Sequence, residues 1–212
     1  MKKYELTEET KVIGGKTLFR IRALRSFGGI KAGDLGGFIE NERNLSHEGN
    51  AWVGDNAKVG GNAKVGGNAK VGGNARVGDN ARVGGYAWVG DNAWVGGNAK
   101  VGGDAWVGGN AWVEDNAQVG GYAKVGGDTR FNGNGLINSN DDYLCEKGLG
   151  SHNRSASFFK CKDGHIHVLC GCFSGNLDEF ENKVKKEHGN SKYAKEYLGF
   201  IEVVKTHFEV RQ

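Results

Sequence analysis

The residues best suited to chemistry lie in the last quarter of the chain, where cysteines and histidines fall close together. Cys170 and Cys172 form a Cys-x-Cys pair, and Cys161, His165 and His167 precede them. Thiolate sulfur and imidazole nitrogen are donor types that zinc prefers in proteins. However, the two histidines share one face of a strand, the usual two-to-four-residue Cys spacing is missing, and free cysteines are often simply buried. We therefore expect a structural role for these side chains, with a zinc site as the alternative.

The four cysteines are expected to be reduced thiols. Residues 1–6 are polar and do not form the apolar core of a secretory signal, and no apolar run approaches the ~20 residues of a membrane span. We therefore expect a cytoplasmic protein with no membrane partner. A helix beginning at Asn176 would lower the pKa of Cys172, which makes a reactive thiol a further hypothesis.

The composition excludes several classes of protein. Gly takes 38 of the 212 positions and Pro takes none, which excludes collagen and Pro-rich linkers. The chain has 10 Phe, 6 Tyr and 5 Trp with a net charge of only +3, which argues against disorder. Because the overall charge is so small, any charged binding surface must come from how the charges are arranged.

The elements that must position these residues begin with a repeat in the middle of the chain. From Asn50 to Gly127 a six-residue unit recurs, Asn-Ala-x-Val-Gly-Gly, and Val returns at every sixth position from Val53 to Val125. Ala and Val alternate with a larger residue x, which is typical of a short strand whose Ala and Val face inward. Gly, Asn and Asp then allow a sharp turn. A strand and a corner that repeat every six residues predict a solenoid.

The Val and Ala rows extend beyond the regular units. In steps of six residues, the Val row continues with Phe131 and Ile137, and the Ala row continues with Ile39, Leu45, Thr129 and Gly135.

This repeat resembles the hexapeptide-repeat superfamily, whose left-handed parallel β-helix closes one coil every three units. The handedness follows from the resemblance alone, because the general preference for right-handed crossovers argues the other way. A second resemblance, to the start of bacterial and prophage hexapeptide-repeat proteins catalogued as acyltransferases or polymer-forming cytoskeletal proteins, is carried by residues 3–6 (KYEL), 27–39 (FGGIKAGDLGGFI) and 44–53 (NLSHEGNAWV). The expected fold is mainly β.

Three six-residue units make 18 residues, so outward x residues 18 apart should stack on one face, about 4.8 Å apart. Face one carries Trp52, Lys70, Trp88, Trp106 and Lys124. Face two carries Lys58, Arg76, Trp94, Trp112 and Arg130. Face three carries Lys64, Arg82, Lys100 and Gln118. The corner leading into face one adds Tyr86 and Tyr122.

The tryptophans suggest an interface. At about 150–250 Å² each, five outward indoles exceed the ~300–600 Å² of a typical monomer's largest apolar patch. We expect a closed homotrimer in which face one of a subunit meets face two of its neighbour, and the resemblance also implies a trimer. A ladder that binds a foreign partner and Trp packing within the stack are the alternatives. The expected interface residues are Trp52, Trp88, Trp106, Trp94, Trp112, Tyr86 and Tyr122.

Face three is a column of cations. Lys64, Arg82 and Lys100 are candidate residues for binding an anionic partner. The alternative is a solvated face on which the long side chains splay apart.

The two ends do not repeat. We expect an N-terminal cap over residues 1–49, the β-helix over 50–138 and a small α+β module over 139–212. A cap is needed because an open coil end exposes backbone groups and Val side chains. Residues 17–24 alternate as a strand within it.

Turn and cap signals organise the C-terminal module. Residues 162–164, Lys-Asp-Gly, lie between two strand-like runs and predict a hairpin. Asn176 and Glu179 form a capping box for a helix that ends near His188 at Gly189. Ser191 can start a second helix.

The resemblance implies acyl transfer with a His as general base, next to acyl-CoA lying between subunits. Residues 50–150 contain no His, so only His47 and His152 are candidate bases. The preferred hypothesis is instead a non-catalytic trimeric scaffold without cofactor. By resemblance it is associated with phage or prophage, and its C-terminal module would capture a host protein or an anionic small molecule, with an anti-defence role. Single-stranded nucleic acid is a further candidate partner, because basic residues interleave with aromatic ones.

Overall fold

The computed structural model describes residues 2–209 and divides into an N-terminal sheet, a β-helix and a C-terminal α+β module. Three strands come first: β1 (Tyr4–Ile13), β2 (Lys16–Ala23) and β3 (Leu35–Ile39). Four strands and two helices come last: β19 (Tyr143–Leu149), β20 (Arg154–Lys160), β21 (Ile166–Cys170), β22 (Phe173–Asn176), α1 (Leu177–His188) and α2 (Lys192–His207). Neither helix of the described chain has the length and apolarity needed to cross a membrane.

The β-helix is a solenoid of about six coils, built from two-residue strands separated by four-residue corners. Its strands β4 to β18 are Trp52–Val53, Lys58–Val59, Lys64–Val65, Lys70–Val71, Arg76–Val77, Arg82–Val83, Trp88–Val89, Trp94–Val95, Lys100–Val101, Trp106–Val107, Trp112–Val113, Gln118–Val119, Lys124–Val125, Arg130–Phe131 and Leu136–Ile137. They form three parallel sheets in which every third strand pairs. Trp88, for example, pairs with Lys70 on one side and Trp106 on the other. The predicted period of 18 residues and the sorting into three faces are therefore confirmed.

The inside of the coil is filled by the two residues that the repeat predicted. The repeat Val side chains are at most 2% exposed, and the repeat Ala side chains at most 1%. Thr129 and Gly135 continue the Ala row as predicted, since their carbonyls accept the N–H groups of Trp112 and Gln118. Small and branched aliphatic residues alternate because each coil must pack on the next at the strand spacing.

The first coil differs from the others. Phe38 pairs with Lys58 and Ile39 with Val59, so the offset there is 20 residues. Leu45 bridges to Val65 with the same offset. The prediction that Ile39 and Leu45 continue the Ala row is therefore wrong: they lie in register with Val. The two additional residues are accommodated before the regular repeats begin, and β3 already belongs to the solenoid, ahead of the predicted boundary at residue 49.

The N-terminal hairpin extends one sheet of the solenoid. β1 and β2 are antiparallel, β2 pairs with β3, and β3 pairs in parallel with the strand Lys58–Val59. Tyr4 and Ile21 are fully buried at this end. The segment thus covers the coil end, which an open solenoid requires.

The C-terminal sheet closes the other end. Its strand order is β19-β20-β21-β22, all antiparallel. One face packs on the coil through Phe159, whose ring lies 5.2 Å from that of Phe131. The opposite face packs on the helices, where Phe158 meets Phe180 with 6.0 Å between ring centroids. The sheet is therefore sandwiched between the solenoid and α1 with α2.

The predicted turns and caps of this module are present. β20 and β21 form the hairpin around residues 162–164. Asn176 caps α1 in a capping box with Glu179, Gly189 ends α1, and Ser191 caps α2. Residues 210–212 of the predicted module lie outside the described residues.

Candidate functional sites

Face three presents a continuous basic column. Lys64, Arg82 and Lys100 are neighbours on paired strands, and all three are exposed. Among residues 2–209, none of them has an ion-pair or hydrogen-bond partner for its side chain. They line a shallow groove of about 640 Å³. The cations of this face are thus free to meet an anion from solution.

Two residues that the sequence did not single out extend this groove. Arg43, from a short 3-10 helix at Glu42–Asn44, lies at one end, and Asn138 lies at the other. Gly84 and Gly102 line the groove at the corners of the coil, and because they have no side chains the groove is shallow there. Arg43 lies outside the repeat, so no periodic signal placed it on face three.

The aspartates of the coil are held at its corners rather than over its faces. Asp79 has a φ of 55°, and its carboxylate accepts the N–H of Gly97 on the next coil at 3.0 Å. The same contact joins Asp91 to Gly109 at 2.8 Å. Asp tolerates this left-handed conformation better than most residues, because its short polar side chain can bond locally. These carboxylates therefore tie neighbouring coils together.

The tryptophans of faces one and two form two ladders. Trp88 and Trp106 stack with ring centroids 5.4 Å apart and an interplanar angle of 12°. Trp94 and Trp112 lie 6.4 Å apart and are tilted by 44°, and Arg130 covers Trp112 at 5.4 Å. Packing along the ladder leaves only Trp112 well exposed, at 42%. The aromatic area available to a partner is thus smaller than the sequence suggested.

The other three aromatic residues of the predicted interface differ greatly in exposure. Tyr86 and Tyr122 are 69% and 77% exposed at the corner that leads into face one. Trp52 is instead only 6% exposed, because Phe27 of the N-terminal segment packs edge-on against it at 5.5 Å. Trp52 therefore belongs to the core and leaves little surface for the predicted interface.

The two histidines considered for acid-base chemistry lie in the end segments. His47 stacks on Tyr4 at 4.3 Å, its Nδ1 accepts the N–H of Lys3 at 3.2 Å, and its Nε2 lies 3.7 Å from a carboxylate oxygen of Glu42. Its ring is thus held by the N-terminal segment. His152 is exposed in the turn between β19 and β20, where its Nδ1 lies 2.9 Å from the Ser151 hydroxyl.

The structure brings together three of the five predicted zinc donors. Ligand atoms of Cys161, His165 and His167 all lie within 4.8 Å of one another. Burial raises the pKa of Cys161 to about 11. Cys170 lies on the opposite face of the sheet, with its sulfur 4.0 Å from the Tyr197 hydroxyl. Cys172 is exposed at the turn before β22.

The placement of Cys172 bears on the reactive-thiol hypothesis. The whole of β22, residues 173–176, runs extended between Cys172 and the start of α1. Four extended residues span about 13 Å, whereas the field of a helix terminus acts mainly within its first turn. The N-terminus of α1 therefore lies too far along the chain to activate this thiol.

The parallel strands, the 18-residue coil and the inward Ala and Val rows define the middle of this chain as a hexapeptide-repeat β-helix. Residues 50–85 match the family model described as bacterial transferase hexapeptide (six repeats). The match and the solenoid together are consistent with the hexapeptide-repeat β-helix superfamily. No curated protein matches the chain.

Proposed function

We propose that the protein is a non-catalytic, homotrimeric β-helix scaffold that captures an anionic partner on face three. The observation that carries this proposal is the basic column of Lys64, Arg82 and Lys100, exposed in register and without an ion-pair partner in the described chain. The partner we propose is an acidic host protein or a nucleotide signal in the cytoplasm, and the prophage resemblance associates such a binder with an anti-defence role.

Electrostatics supports a bound anion. Two unit charges about 4.8 Å apart in water repel by about 0.9 kcal/mol before screening. The column places such pairs one after another along the coil axis. A partner with several negative charges at similar spacing would relieve this repulsion and gain charge-assisted hydrogen bonds.

The assembly we propose leaves this face open. Faces one and two adjoin each other: face two carries the exposed Trp112, and Tyr86 and Tyr122 are exposed at the corner between face three and face one. A ring in which face one meets face two of the next subunit uses both surfaces and closes on itself. Face three of each subunit would then remain in solvent.

The trimer is tested by native mass spectrometry. We expect wild-type protein to have the mass of three 22.7 kDa chains. The double variant Trp112→Lys/Tyr122→Lys should be a monomer, because it places charge in the interface. The matched control, Val203→Lys, alters an apolar residue on α2 that is 53% exposed and should remain a trimer. A monomeric wild-type protein would contradict the assembly.

Anion capture is tested by fluorescence anisotropy with a labelled nucleoside triphosphate, a labelled acidic peptide and a labelled oligo-dT. We expect the triple variant Lys64→Ala/Arg82→Ala/Lys100→Ala to lose binding, whereas Lys186→Ala, an exposed lysine on α1, should retain it. Equal binding by the triple variant and the wild type would refute the role of face three. Preference for oligo-dT with a steep salt dependence would instead favour single-strand binding.

Acyl transfer is the second candidate function, because the matching family model describes bacterial transferases. Its expected signs are binding of acetyl-CoA, turnover with an acceptor, and loss of turnover in His47→Ala or His152→Ala. His47 stacks on Tyr4 and its Nδ1 accepts the N–H of Lys3, so the ring is packed within the N-terminal segment, which argues against that residue as a catalytic base.

A further inference from the structure

The tip of the β20–β21 hairpin gathers three potential metal ligands on one face of the sheet. His165 and His167 are two residues apart, so their side chains point to the same side. Cys161 lies across the turn from His165, with its N–H bonded to the His165 carbonyl at 2.9 Å. Alternation and cross-strand pairing thus bring one thiol and two imidazoles to the same place. Cys170 falls on the other side of the sheet, where it packs with the helices.

The three donors are close enough to share one ion. Their ligand atoms lie within 4.8 Å of one another. In tetrahedral zinc with Zn–S of about 2.3 Å and Zn–N of about 2.0–2.1 Å, ligand atoms are roughly 3.3–3.6 Å apart. Each pair of donors therefore has to close by about 1.5 Å at most, which side-chain rotation can supply.

Both imidazoles are already oriented from outside the cluster. Nδ1 of His165 lies 2.5 Å from the Asp163 carboxylate, and Nε2 of His167 lies 2.9 Å from the Ser174 hydroxyl. Metal-binding histidines usually place their second nitrogen against a carboxylate, hydroxyl or carbonyl, which fixes the tautomer and the ring orientation. This leaves Nε2 of His165 and Nδ1 of His167 to act as donors.

The cluster opens into a cavity rather than into the core. Cys161, His165 and His167 line a cavity of about 690 Å³. Asp178 and Glu179, in the first turn of α1, line the same cavity. The Glu179 carboxylate is already engaged by the Asn176 N–H at 2.8 Å, whereas Asp178 is exposed. A fourth coordination position can thus be filled from the cavity, by water or by a small ligand.

We propose that Cys161, His165 and His167 bind a zinc ion, with the fourth position open to the cavity and Asp163 as the positioning residue for His165. One thiolate and two imidazoles suit Zn²⁺, whereas Mg²⁺ and Ca²⁺ take oxygen ligands. This site is independent of face three and of the oligomeric state.

The test loads metal-free, full-length protein with Zn²⁺ and with Co²⁺. We expect one metal ion per chain by elemental analysis, and a thiolate-to-cobalt charge-transfer band in the near ultraviolet. Cys161→Ser should lose the band, and His165→Asn should lose stoichiometric binding. Asp163→Asn should keep the stoichiometry but bind Zn²⁺ about 10- to 100-fold more weakly, as second-sphere changes do.

Control variants show whether metal binds at this cluster or at other thiols and imidazoles, and a folding check shows whether a loss of binding comes from misfolding. Cys172→Ser and His152→Asn change an exposed thiol and an exposed imidazole outside the cluster, so both should bind metal like the wild type. Because Cys161 is only 6% exposed, its variant is checked for folding by circular dichroism, and the exposed His165 provides a variant that spares the core. Unchanged binding in His165→Asn, loss of the cobalt band in Cys172→Ser, or failure of the wild type to bind Zn²⁺ would each overturn the proposal.

Discussion

Replacing Gly97 with alanine tests how tightly the corners of neighbouring coils are stacked. Gly97 has a φ of +59°, and a Cβ there would lie 2.7 Å from the backbone nitrogen of Asp115 and 2.9 Å from its Cα. These are backbone atoms of the next coil, so they cannot move aside without separating the coils. The substitution therefore combines a strained conformation with a steric clash.

The two contributions can be estimated separately. A left-handed conformation costs an L-residue about 1–2 kcal/mol, and forcing a methyl group into a packed contact costs about 1–3 kcal/mol. We expect Gly97→Ala to lower the free energy of unfolding by about 2–5 kcal/mol. The matched control is Gly14→Ala in the β1–β2 turn, where φ is +56° and nothing lies within 4 Å of the added Cβ. It should lose only about 1–2 kcal/mol, from the conformational cost.

Urea unfolding followed by far-ultraviolet circular dichroism measures both free energies. Thermal unfolding gives an independent readout, because each kcal/mol shifts the Tm of a chain of this size by about 2–4 °C. The difference between the two variants isolates the contact between coils. If Gly97→Ala and Gly14→Ala lose the same stability, the backbone stacking described at the corners does not limit which side chains they accept.

Two further changes test the ends of the molecule. Burial, with a contribution from Arg25, lowers the pKa of Lys3 to about 8 from its ordinary 10.5, so the unfolded chain binds more protons between these values and stability should rise with pH across that window. Lys3→Met should flatten the rise, which urea midpoints between pH 7.5 and pH 10.5 measure, and an unchanged pH slope would contradict this assignment. In Asn176→Ala the Glu179 N–H loses its cap, at a cost of about 1 kcal/mol in urea unfolding, whereas Asn190→Ala in the following loop should be neutral. Equal stabilities of these two variants would show that the cap is dispensable.

The regular part of the solenoid could be predicted because each six-residue unit contains the residues that form both its strand and its corner. Ala and Val alternate for the inside, a glycine or aspartate supplies the positive φ at each corner, and the unit repeats without a slip. The first coil could not be predicted in the same way. Its two additional residues fall where no repeat exists, so counting back in steps of six assigns Ile39 and Leu45 to the Ala row although they pair with Val59 and Val65.

Side-chain surroundings were harder to predict than strand register. The outward position of Trp52 follows from the repeat, but its burial depends on Phe27, which lies in the irregular N-terminal segment. The grouping of Cys161 with His165 and His167 could have been predicted from the sequence. The odd-even alternation along β21 and the turn at residues 162–164 place these three together and exclude Cys170.

The number of six-residue units also sets the direction in which the C-terminal module projects. Each unit advances the chain by a third of a turn, so deleting one would swing the module by about 120° around the rod, whereas deleting three would shorten the rod by about 4.8 Å and leave the module in its original orientation. Duplication or loss of three units at a time therefore changes the length of the rod and keeps the direction of the module, whereas any other number of units changes both.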